Sequence, residues 1–445
     1  MLFMNMSFHT ICAIEFAMLG VLLSTGVAAQ TLEASPSASG APYYQRLLPE
    51  VLEKHPVLRA ASRKIQAADA DVDGARWQFF PTPSIGVESS SQANSALDSK
   101  IRFARLQQPL WTGGRLTAQV NKAQAEQEVA YWARQEQRQG LAVHWLELWA
   151  DACAAQRRVG AYEASAEQHQ VYLRQVQGRA KEGHIAQSEV QLAQSRLAAT
   201  DADLETARAQ QQLAQNKLRQ LLGGPLPPNA LAQGCALSGA THQSSPVAQM
   251  QELAEKNDAS LRKYAAGVRS IHAELEVIRA QGVPEVYLRG EYFQGDVTGE
   301  SRKASIGLSS NFGAGLSLGS AQRAMQSRAD AQGQESEARR RDLNDQIASD
   351  DIQAKSQRAR AQQLSDSLDA AGAYLQSAEK QFDAGRRSWQ DLMSSAREVT
   401  QLRIQLIDCH IQAWIAAERL RLVSVGLDAY LGVSDLSSPP DKAGN

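Results

Sequence analysis

Side chains that could catalyse a reaction or hold a metal lie along this chain without a recognisable spacing. The eight histidines include no His-x-x-x-His pair, and the cysteines include no Cys-x-x-Cys pair. The Gly-rich stretch near Gly313 follows a predicted strand, so a tight corner explains it better than a phosphate-binding loop does. No nucleophile, base and oxyanion-binding group form a set. We therefore predict that the protein is not an enzyme and requires no cofactor or metal.

Residues 1–29 are predicted to be a secretory signal peptide. An apolar stretch around Phe16 to Leu23 precedes the small residues that end at Ala29, which suits a cleavage site before Gln30. The alternative is a short membrane anchor, although roughly 20 uninterrupted apolar residues are needed to span a bilayer. Residues 30–42 are rich in Ser, Ala and Pro and are predicted to be a flexible leader. No other apolar run of this length follows, so any membrane crossing would have to use strands.

Charge and cysteine content argue against a nucleic-acid-binding protein and against a protein built on a disulfide framework. The chain has 46 Lys plus Arg and 48 Asp plus Glu, and this balance argues against a nucleic-acid-binding protein. Three cysteines, Cys153, Cys235 and Cys409, follow the signal peptide. An odd number cannot pair completely, so no disulfide framework is predicted, and whether any two of them pair is left open.

The strongest pattern in the chain is an internal duplication. One block repeats at an offset of 203 positions and a second block at an offset of 202. The aligned pairs include Leu58 with Leu261, Arg76 with Arg279, Pro81 with Pro284, Gly183 with Gly385, and Glu189 with Asp391. A unit of this size is a duplicated half-protein rather than a solenoid repeat. We assign residues 43–222 to the first structural repeat, 223–256 to a connector, 257–433 to the second repeat and 434–445 to a disordered tail.

Each repeat is predicted to contain a helix, a β-hairpin and two long helices. The apolar spacing from Tyr43 to Gln78 is helical, and prolines end it. Two alternating stretches follow, and they recur in the second half, where Val286, Leu288 and Tyr292 share one face and Arg289 and Glu291 the other. Helices without internal proline then run from Leu116 to Gln177 and from Ser320 to Asp383. At these lengths they must pack along other long helices, as in a coiled coil.

The hairpins predict an oligomer if they enter a membrane. Two hairpins supply four strands, and four strands cannot close a barrel by themselves. Open strand edges are not tolerated in lipid, so several copies of the chain would have to pool their strands.

In order, spacing and duplication, these motifs resemble the TolC family of outer-membrane channel proteins. The resemblance covers the chain from Tyr43 to about Val433. Its carriers are HPVLRAA, GARWQFFPTPSIGVE, LQQPLWTGGRL, GRAKEGHIAQSEVQLAQSRL and FDAGRRSWQDLMSSAREV. It implies a mainly α protein in the outer membrane of a Gram-negative bacterium, a homotrimer whose long helical hairpins form a periplasmic tube. Four strands per protomer would be pooled into one β-barrel in the outer-membrane lipid.

The resemblance also implies site residues at the periplasmic tip. Asp391 matches an aspartate of a pore constriction, and Ser394 stands where a second aspartate would be expected. Arg387 matches the arginine of a gate latch whose partners would be Ser188 and Glu189. Phe382 replaces a tyrosine that is common in the family. The turns at Gly183 and Gly385 resemble the places where a periplasmic adaptor docks.

More ordinary roles are open for these residues. Asp391 can equally be a solvated helix carboxylate, and Arg387 can be a charge that follows the turn at Gly385. The tryptophans Trp132, Trp145, Trp149 and Trp414 are interpreted as helix-packing residues rather than a ligand site. A helix reversal commonly requires positive φ, which supports a structural role for both turn glycines.

The function implied is a porin-like exit duct of a tripartite export system, driven by an inner-membrane ABC transporter or proton-driven pump through the adaptor. The wording of DVDGARWQFFPTPS and RLQQPLWTGGRLTA is closest to the branch serving type I protein secretion, including export of large adhesins. Two alternatives are the outer component of a multidrug or metal efflux pump, and a periplasmic coiled-coil structural or adaptor protein without a pore. The cargo cannot be determined from the sequence.

Overall fold

The computed structural model describes residues 42–90, 99–235, 246–295, 299–310, 313 and 317–432. The predicted signal peptide, nearly all of the leader and the C-terminal tail lie outside these residues. The first repeat contains α1 (Tyr43–Lys54), α2 (Pro56–Trp77), β1 (Thr82–Ser90), β2 (Ser99–Trp111), α3 (Arg115–Lys181) and α4 (Gln187–Leu222), and α5 (Ala230–Gly234) follows it in the predicted connector. The second contains α6 (Val247–Asn257), α7 (Ala259–Gln281), β3 (Glu285–Gly295), β4 (Gly299–Ser309), α8 (Leu318–Asp383), α9 (Trp389–Val425) and α10 (Leu427–Tyr430).

The duplication is visible element by element. Helices α3 and α8 have 67 and 66 residues, and α4 and α9 have 36 and 37 residues. Helix α6 lies in the segment that we predicted as a connector, and it occupies the position of α1 in the second repeat. The single helix predicted from Tyr43 to Gln78 is two helices, because His55 adopts an extended conformation before Pro56 at the first helical position.

Helix α3 is the axis of the protomer. Its 67 residues span about 100 Å at the rise of an α-helix. Near its start it packs against α2 and α7, and towards its end against α4 and α9. Helix α8 packs against α7 and α9 in the same way. No helix in the described part of the chain has the length and apolar content needed to cross a membrane.

The largest hydrophobic core lies at the middle of α3. Trp145 and Trp149 are fully buried there among apolar residues of α1, α4, α5, α9 and α10. Trp132 and Trp414 are also buried, so the interpretation of the four tryptophans as packing residues is confirmed. The same region buries Glu418, whose carboxylate accepts a hydrogen bond of 2.8 Å from Tyr430. Burial and this carboxylate raise the pKa of Tyr430.

A disulfide connects the middle of α3 to the segment between the repeats. It joins Cys153 to Cys235, which are 82 positions apart. Arg157 donates a hydrogen bond of 2.5 Å to the carbonyl of Cys235 and holds the same segment. Cys409 on α9 is a buried free thiol, and burial raises its pKa. One pair therefore forms, which the number of cysteines alone could not decide.

The four strands form one antiparallel sheet in the order β1-β2-β3-β4. The hairpins β1-β2 and β3-β4 were predicted, and the described strands confirm them. The central pair, β2-β3, joins the two repeats, with Arg105 opposite Glu291 and Phe103 opposite Phe293. Strands β1 and β4 are the two edges. The mainly α fold with an antiparallel sheet and an internal duplication agrees with the sequence prediction.

Candidate functional site

Two turns with the same backbone geometry end the long helices at one tip of the protomer. Gly183 follows α3 with φ of 80°, and Gly385 follows α8 with φ of 70°. The N–H of His184 donates to the carbonyl of Arg179, and the N–H of Arg386 donates to the carbonyl of Gln381, both at 2.9 Å. These six-residue bonds are those of a Schellman motif, which favours glycine in the left-handed region. The predicted turn glycines therefore have the conformation expected of them.

Asp391 and Ser394 lie on the exposed face of the first turns of α9. Ser388 begins this helix and its hydroxyl accepts a hydrogen bond of 3.1 Å from the N–H of Asp391. The Ser394 hydroxyl donates to the carbonyl of Asp391 at 2.9 Å. Their spacing of three residues places both side chains on one side of the helix. A carboxylate in the first turn is also favoured by the helix dipole, so Asp391 stabilises α9 whatever else it does.

Arg387 contacts α8 within its own repeat. Its guanidinium donates a hydrogen bond to the Tyr374 hydroxyl and lies 4.7 Å from the centre of the Tyr374 ring. Within the described residues of one protomer, the structure does not bring Arg387 together with Ser188 or Glu189. Glu189 lies in the first turn of α4, and its Oε2 atom is buried without a hydrogen-bond partner. A buried carboxylate oxygen normally accepts a hydrogen bond. The Glu189 Oε2 atom has no such donor in the single protomer.

Arg179 links the two turns, and the sequence did not predict this link. It is in the last turn of α3 and donates a hydrogen bond of 2.6 Å to the carbonyl of Phe382 at the end of α8. Its guanidinium lies 4.0 Å from the Phe382 ring centre and 3.4 Å from the Asp383 carboxylate. A cation at a helix C-terminus also interacts favourably with the helix dipole. Arg179 thus fastens the end of α8 to the end of α3.

A polar contact and an aromatic cluster support this link. Gln168 on α3 donates to Glu379 on α8 at 3.0 Å, and the Tyr172 hydroxyl donates to the same carboxylate. Burial and this carboxylate raise the pKa of Tyr172. The Tyr172 ring also packs edge-on against Trp389, which in turn contacts Phe382. Basic character in a last helical turn is the only sequence signal for Arg179, and it names no partner.

The sheet at the opposite end of the helices has two chemically different faces. One face is apolar and exposed: Ile85 is 87% exposed, Ile306 72% and Leu308 70%. Register places Leu106, Leu288 and Val286 on this same face. Farther from the helices this face also carries Arg102 and Arg302. Isolated apolar residues on a surface are ordinary, but a contiguous patch such as the one nearer the helices marks an interaction surface.

The other face of the sheet is polar and carries paired charges. Arg105 donates to Glu291 at 2.5 Å across the β2-β3 pair, and Arg289 donates to Gln107 at 2.9 Å. The predicted separation of Val286, Leu288 and Tyr292 from Arg289 and Glu291 agrees with this register. The apolar Ile101 and Phe103 also lie on the polar face, and the Phe103 ring covers Gly86, where a Cβ atom would clash with it.

Aromatic side chains border the apolar face where the strands meet the helices. Trp77 and Phe80 are 69% and 56% exposed, and their ring centres are 5.1 Å apart. A bulge at Leu110 lets Trp111 pair with Val286 on the apolar face. Such residues are typical of the boundary between a bilayer and water. In the second repeat, Ala280 and Val283 occupy the positions of Trp77 and Phe80, so the first repeat supplies this border.

No group of three or more His, Cys, Asp or Glu side chains in the described ranges is arranged to hold a metal ion. The described residues thus form a two-faced sheet, a long helical body and a tip with polar contacts between α3 and α8. These residues assemble no reacting centre.

A family model described as outer membrane efflux protein matches residues 47–224 and 251–424. The two matches correspond to the two repeats. Comparison with curated protein sequences gave no match.

Solved structures of outer-membrane channels have the same fold. The channel OprN has a TM-score of 0.73 at 19% identity, over 88% of this chain and 91% of that chain. CusC has a TM-score of 0.72 at 14% identity, over 88% and 92%. The outer membrane protein VceC from Vibrio cholerae has a TM-score of 0.68 at 17% identity, over 86% and 96%. At these identities the likeness concerns the fold.

Proposed function

Because the chain belongs to the outer membrane efflux protein family, we propose that it forms the exit duct of a tripartite export system. As a member of that family it is an outer-membrane channel, with its helical body in the periplasm, and not an enzyme. Family membership excludes the alternative of a periplasmic adaptor without a pore.

The observation that carries the proposal is the two-faced sheet with open edges. Its apolar face matches the lipid-facing surface of a transmembrane β-barrel, whose other face lines an aqueous interior. Strands β1 and β4 have unpaired edges in the protomer, and lipid does not tolerate such edges. Three copies that pair β4 of one with β1 of the next close a barrel of twelve strands. The helices of about 100 Å then extend the path across the periplasm.

The tip residues fit a gate in this trimer. Three copies of Asp391 and Ser394 would lie around a narrow entrance and favour cations over anions. Glu189 has a buried carboxylate oxygen without a donor in its own protomer. Arg387 of a neighbouring copy supplies a suitable donor and completes the latch with Ser188 and Glu189. The turns at Gly183 and Gly385 are the exposed ends on which a periplasmic adaptor docks.

Energy for transport must come from an inner-membrane pump, because the chain has no nucleotide-binding motif. Our first candidate for the cargo is a large protein exported by type I secretion. This choice rests on the sequence motifs around Trp77 and Trp111. Efflux of drugs or metals is the second candidate. Membership of the outer membrane efflux protein family supports it. The identity of the neighbouring genes would separate them: a type I system has an ABC transporter and an adaptor beside a very large repeat-rich protein.

The test of the channel compares two neighbouring positions of β4 on opposite faces. Ile306→Arg places a charge on the lipid face, where the cost is about 2 to 4 kcal/mol at the bilayer centre and falls towards the boundary. Ser305→Arg places the same charge on the polar face. We expect detergent-extracted wild type and Ser305→Arg to crosslink as trimers and to conduct in planar bilayers, whereas Ile306→Arg fails to insert. A water-soluble wild-type monomer, or normal insertion of Ile306→Arg, would reject the proposal.

A further inference from the structure

Register places an excess of basic residues on the polar face of the sheet where the strands approach the helices. One row across the strands contains Ser84, Arg105, Glu291 and Lys303, and the next row contains Thr82, Gln107, Arg289 and Ser305. These two rows hold three cations and one anion. On the same face Glu285 lies two rows nearer the helices and is paired with Arg115, and Glu88 lies two rows farther from the helices. We call these two rows the basic belt.

The single anion of the basic belt is already engaged. Glu291 accepts the hydrogen bond of 2.5 Å from Arg105, and its side chain is only 8% exposed. Lys303 is opposite Glu291 in the register and is exposed. Among the described residues neither Lys303 nor Arg289 forms an ion pair. Each protomer therefore presents two uncompensated cations on this face.

Arg289 is held in a fixed position although it has no anionic partner. Its Nη2 and Nε atoms lie 2.9 and 3.3 Å from the Gln107 side-chain oxygen. Its guanidinium also lies 4.7 Å from the centre of the Tyr287 ring on the same strand. A neutral acceptor and an aromatic face orient the guanidinium without cancelling its charge. The guanidinium can still bind an anion with two parallel hydrogen bonds.

We infer that the basic belt is an anion-binding selectivity ring inside the barrel, where the barrel meets the helical tube. The inference rests on the proposed channel, because only closure of three sheets makes the polar face an inner surface. Three protomers bring six uncompensated cations into one ring, and walls of low dielectric constant concentrate their field in the pore. The ligands it favours are multivalent anions, including phosphate groups and clusters of carboxylates on a cargo.

The ring has the opposite charge to the proposed constriction at Asp391. A solute leaving the periplasm would first pass three carboxylates and then six cations. The two ends should therefore affect ion selectivity with opposite sign, which makes them separable by mutation. Removal of Asp391 should weaken cation preference, whereas removal of the belt cations should strengthen it.

The experiment measures reversal potentials in a KCl gradient and block by inorganic tripolyphosphate, with purified trimers in planar bilayers at low salt. The variant is Arg289→Gln with Lys303→Gln. Arg302→Gln removes one positive charge from the lipid-facing side of β4, and it is the matched control for the single variant Lys303→Gln. We expect the double variant to shift towards cation permeability and to weaken tripolyphosphate block about tenfold, the lower end of field-driven enrichment. The control should behave as wild type.

Two further variants keep the test informative if the double variant does not assemble. Lys303→Gln alone changes an exposed side chain and should give a smaller shift of the same sign. Arg289→Lys with Lys303→Arg keeps both charges and should retain wild-type selectivity and block. Unchanged selectivity in Lys303→Gln and the double variant, or an equal shift in Arg302→Gln, overturns the inference while the channel stands. A wild-type trimer that does not conduct would reject the channel and the ring together.

Discussion

At the scale of residues, the tip is governed by two arginines with different partners. Arg179 joins the end of α3 to the end of α8 inside one protomer. Arg387 contacts Tyr374 in the protomer and is proposed to reach Glu189 of a neighbour. Phe382 has no hydroxyl to hydrogen-bond across the tip, and Arg179 instead uses its backbone carbonyl and its ring. The two arginines at the tip therefore make contacts of two kinds in the protomer.

Arg387→Ser should raise single-channel conductance. It removes a cation–π contact and charge-assisted hydrogen bonds worth about 1 to 3 kcal/mol each, in three copies. Asp391→Ala should mainly reduce cation preference and block by multivalent cations. Arg386→Ser, an exposed arginine on the same turn, is the control. If Arg387→Ser conducts as wild type and Asp391→Ala keeps its selectivity, neither residue belongs to a gate.

Arg179→Gln should loosen the tip of each protomer. The Phe382 carbonyl loses a charge-assisted hydrogen bond of roughly 1.5 to 3 kcal/mol, and the ring loses its cation–π contact. Hydrogen exchange at the ends of α3 and α8 should accelerate, and channel openings should become more frequent. Lys181→Gln, at an exposed position two residues later, should change neither. Wild-type exchange in Arg179→Gln would mean that the aromatic cluster alone holds the two ends.

Low pH should destabilise the part of the helical body nearer the tip, because His169 is buried there. This residue is 5% exposed on α3 and contacts the carbonyl of Ser165 through Nδ1 at 2.7 Å. Burial lowers its pKa below the ordinary 6.5, an effect that the hydrogen bond with Ser165 opposes and that Arg397 and Arg196 reinforce. The unfolded chain then binds a proton that the folded chain does not, so stability falls as pH drops below about 6.5.

The check for His169 is thermal unfolding of the detergent-extracted protein between pH 7.5 and 5.5. His169→Gln should lose part of the pH dependence, whereas His144→Gln, at an exposed position of the same helix, should retain it. An identical pH profile in wild type and His169→Gln would show that other groups cause any loss of stability in acid.

At the scale of elements, the pair β2-β3 is the place where the two repeats become one sheet. It is also the pair most distant in sequence, and it contains the buried carboxylate of Glu291. The hairpins on either side pair strands that are close in sequence. Assembly of the sheet therefore depends on contacts across the seam between repeats.

Charge reversal tests this seam. Arg105→Glu places two carboxylates opposite each other and should reduce the yield of assembled trimer, because like charges directly opposite in a sheet repel and Glu291 loses its donor. The exchange Arg105→Glu with Glu291→Arg should restore part of the yield. Arg102→Glu, on the opposite face of β2 and without that partner, is the control. If the β2-β3 contact does not contribute to assembly, wild type and all three variants will give equal yields of trimer.

At the scale of the whole molecule, a covalent bond reinforces the middle of the helical body. The Cys153–Cys235 disulfide closes a loop between positions 82 apart and ties the segment between repeats to α3. Around it lies the largest apolar core, to which seven helices contribute. The middle of the molecule thus combines its largest described apolar core with a covalent cross-link.

Replacing both Cys153 and Cys235 by Ser should lower the free energy of unfolding by about 2 to 4 kcal/mol, because the unfolded chain regains the freedom that the cross-link removes. Denaturant unfolding of the detergent-extracted protein measures this, with Cys409→Ser as a control that removes a thiol but no cross-link. Conductance should be unchanged, since the bond lies away from both ends. Equal stability of the double variant and wild type would mean that the core alone holds this segment.

The sequence by itself determined the features that depend on neighbouring residues. Helix length follows from the absence of proline, the tip turns from Gly183 and Gly385, and the two hairpins from alternating side chains. The duplication then required each element to occur twice, and the resemblance of the motifs to a known family indicated a channel.

Only the tertiary structure decided which distant residues meet. The β2-β3 pairing, the disulfide and the contact of Arg179 with Phe382 join positions that are 82 to more than 200 residues apart. Local propensity cannot select such partners, because many arginines and cysteine pairings are equally compatible with the same helices and strands. The basic belt likewise appears only when strand register places Arg289 and Lys303 beside the neutralised Glu291. Strand register and packing between the two repeats determine which of these distant residues contact each other.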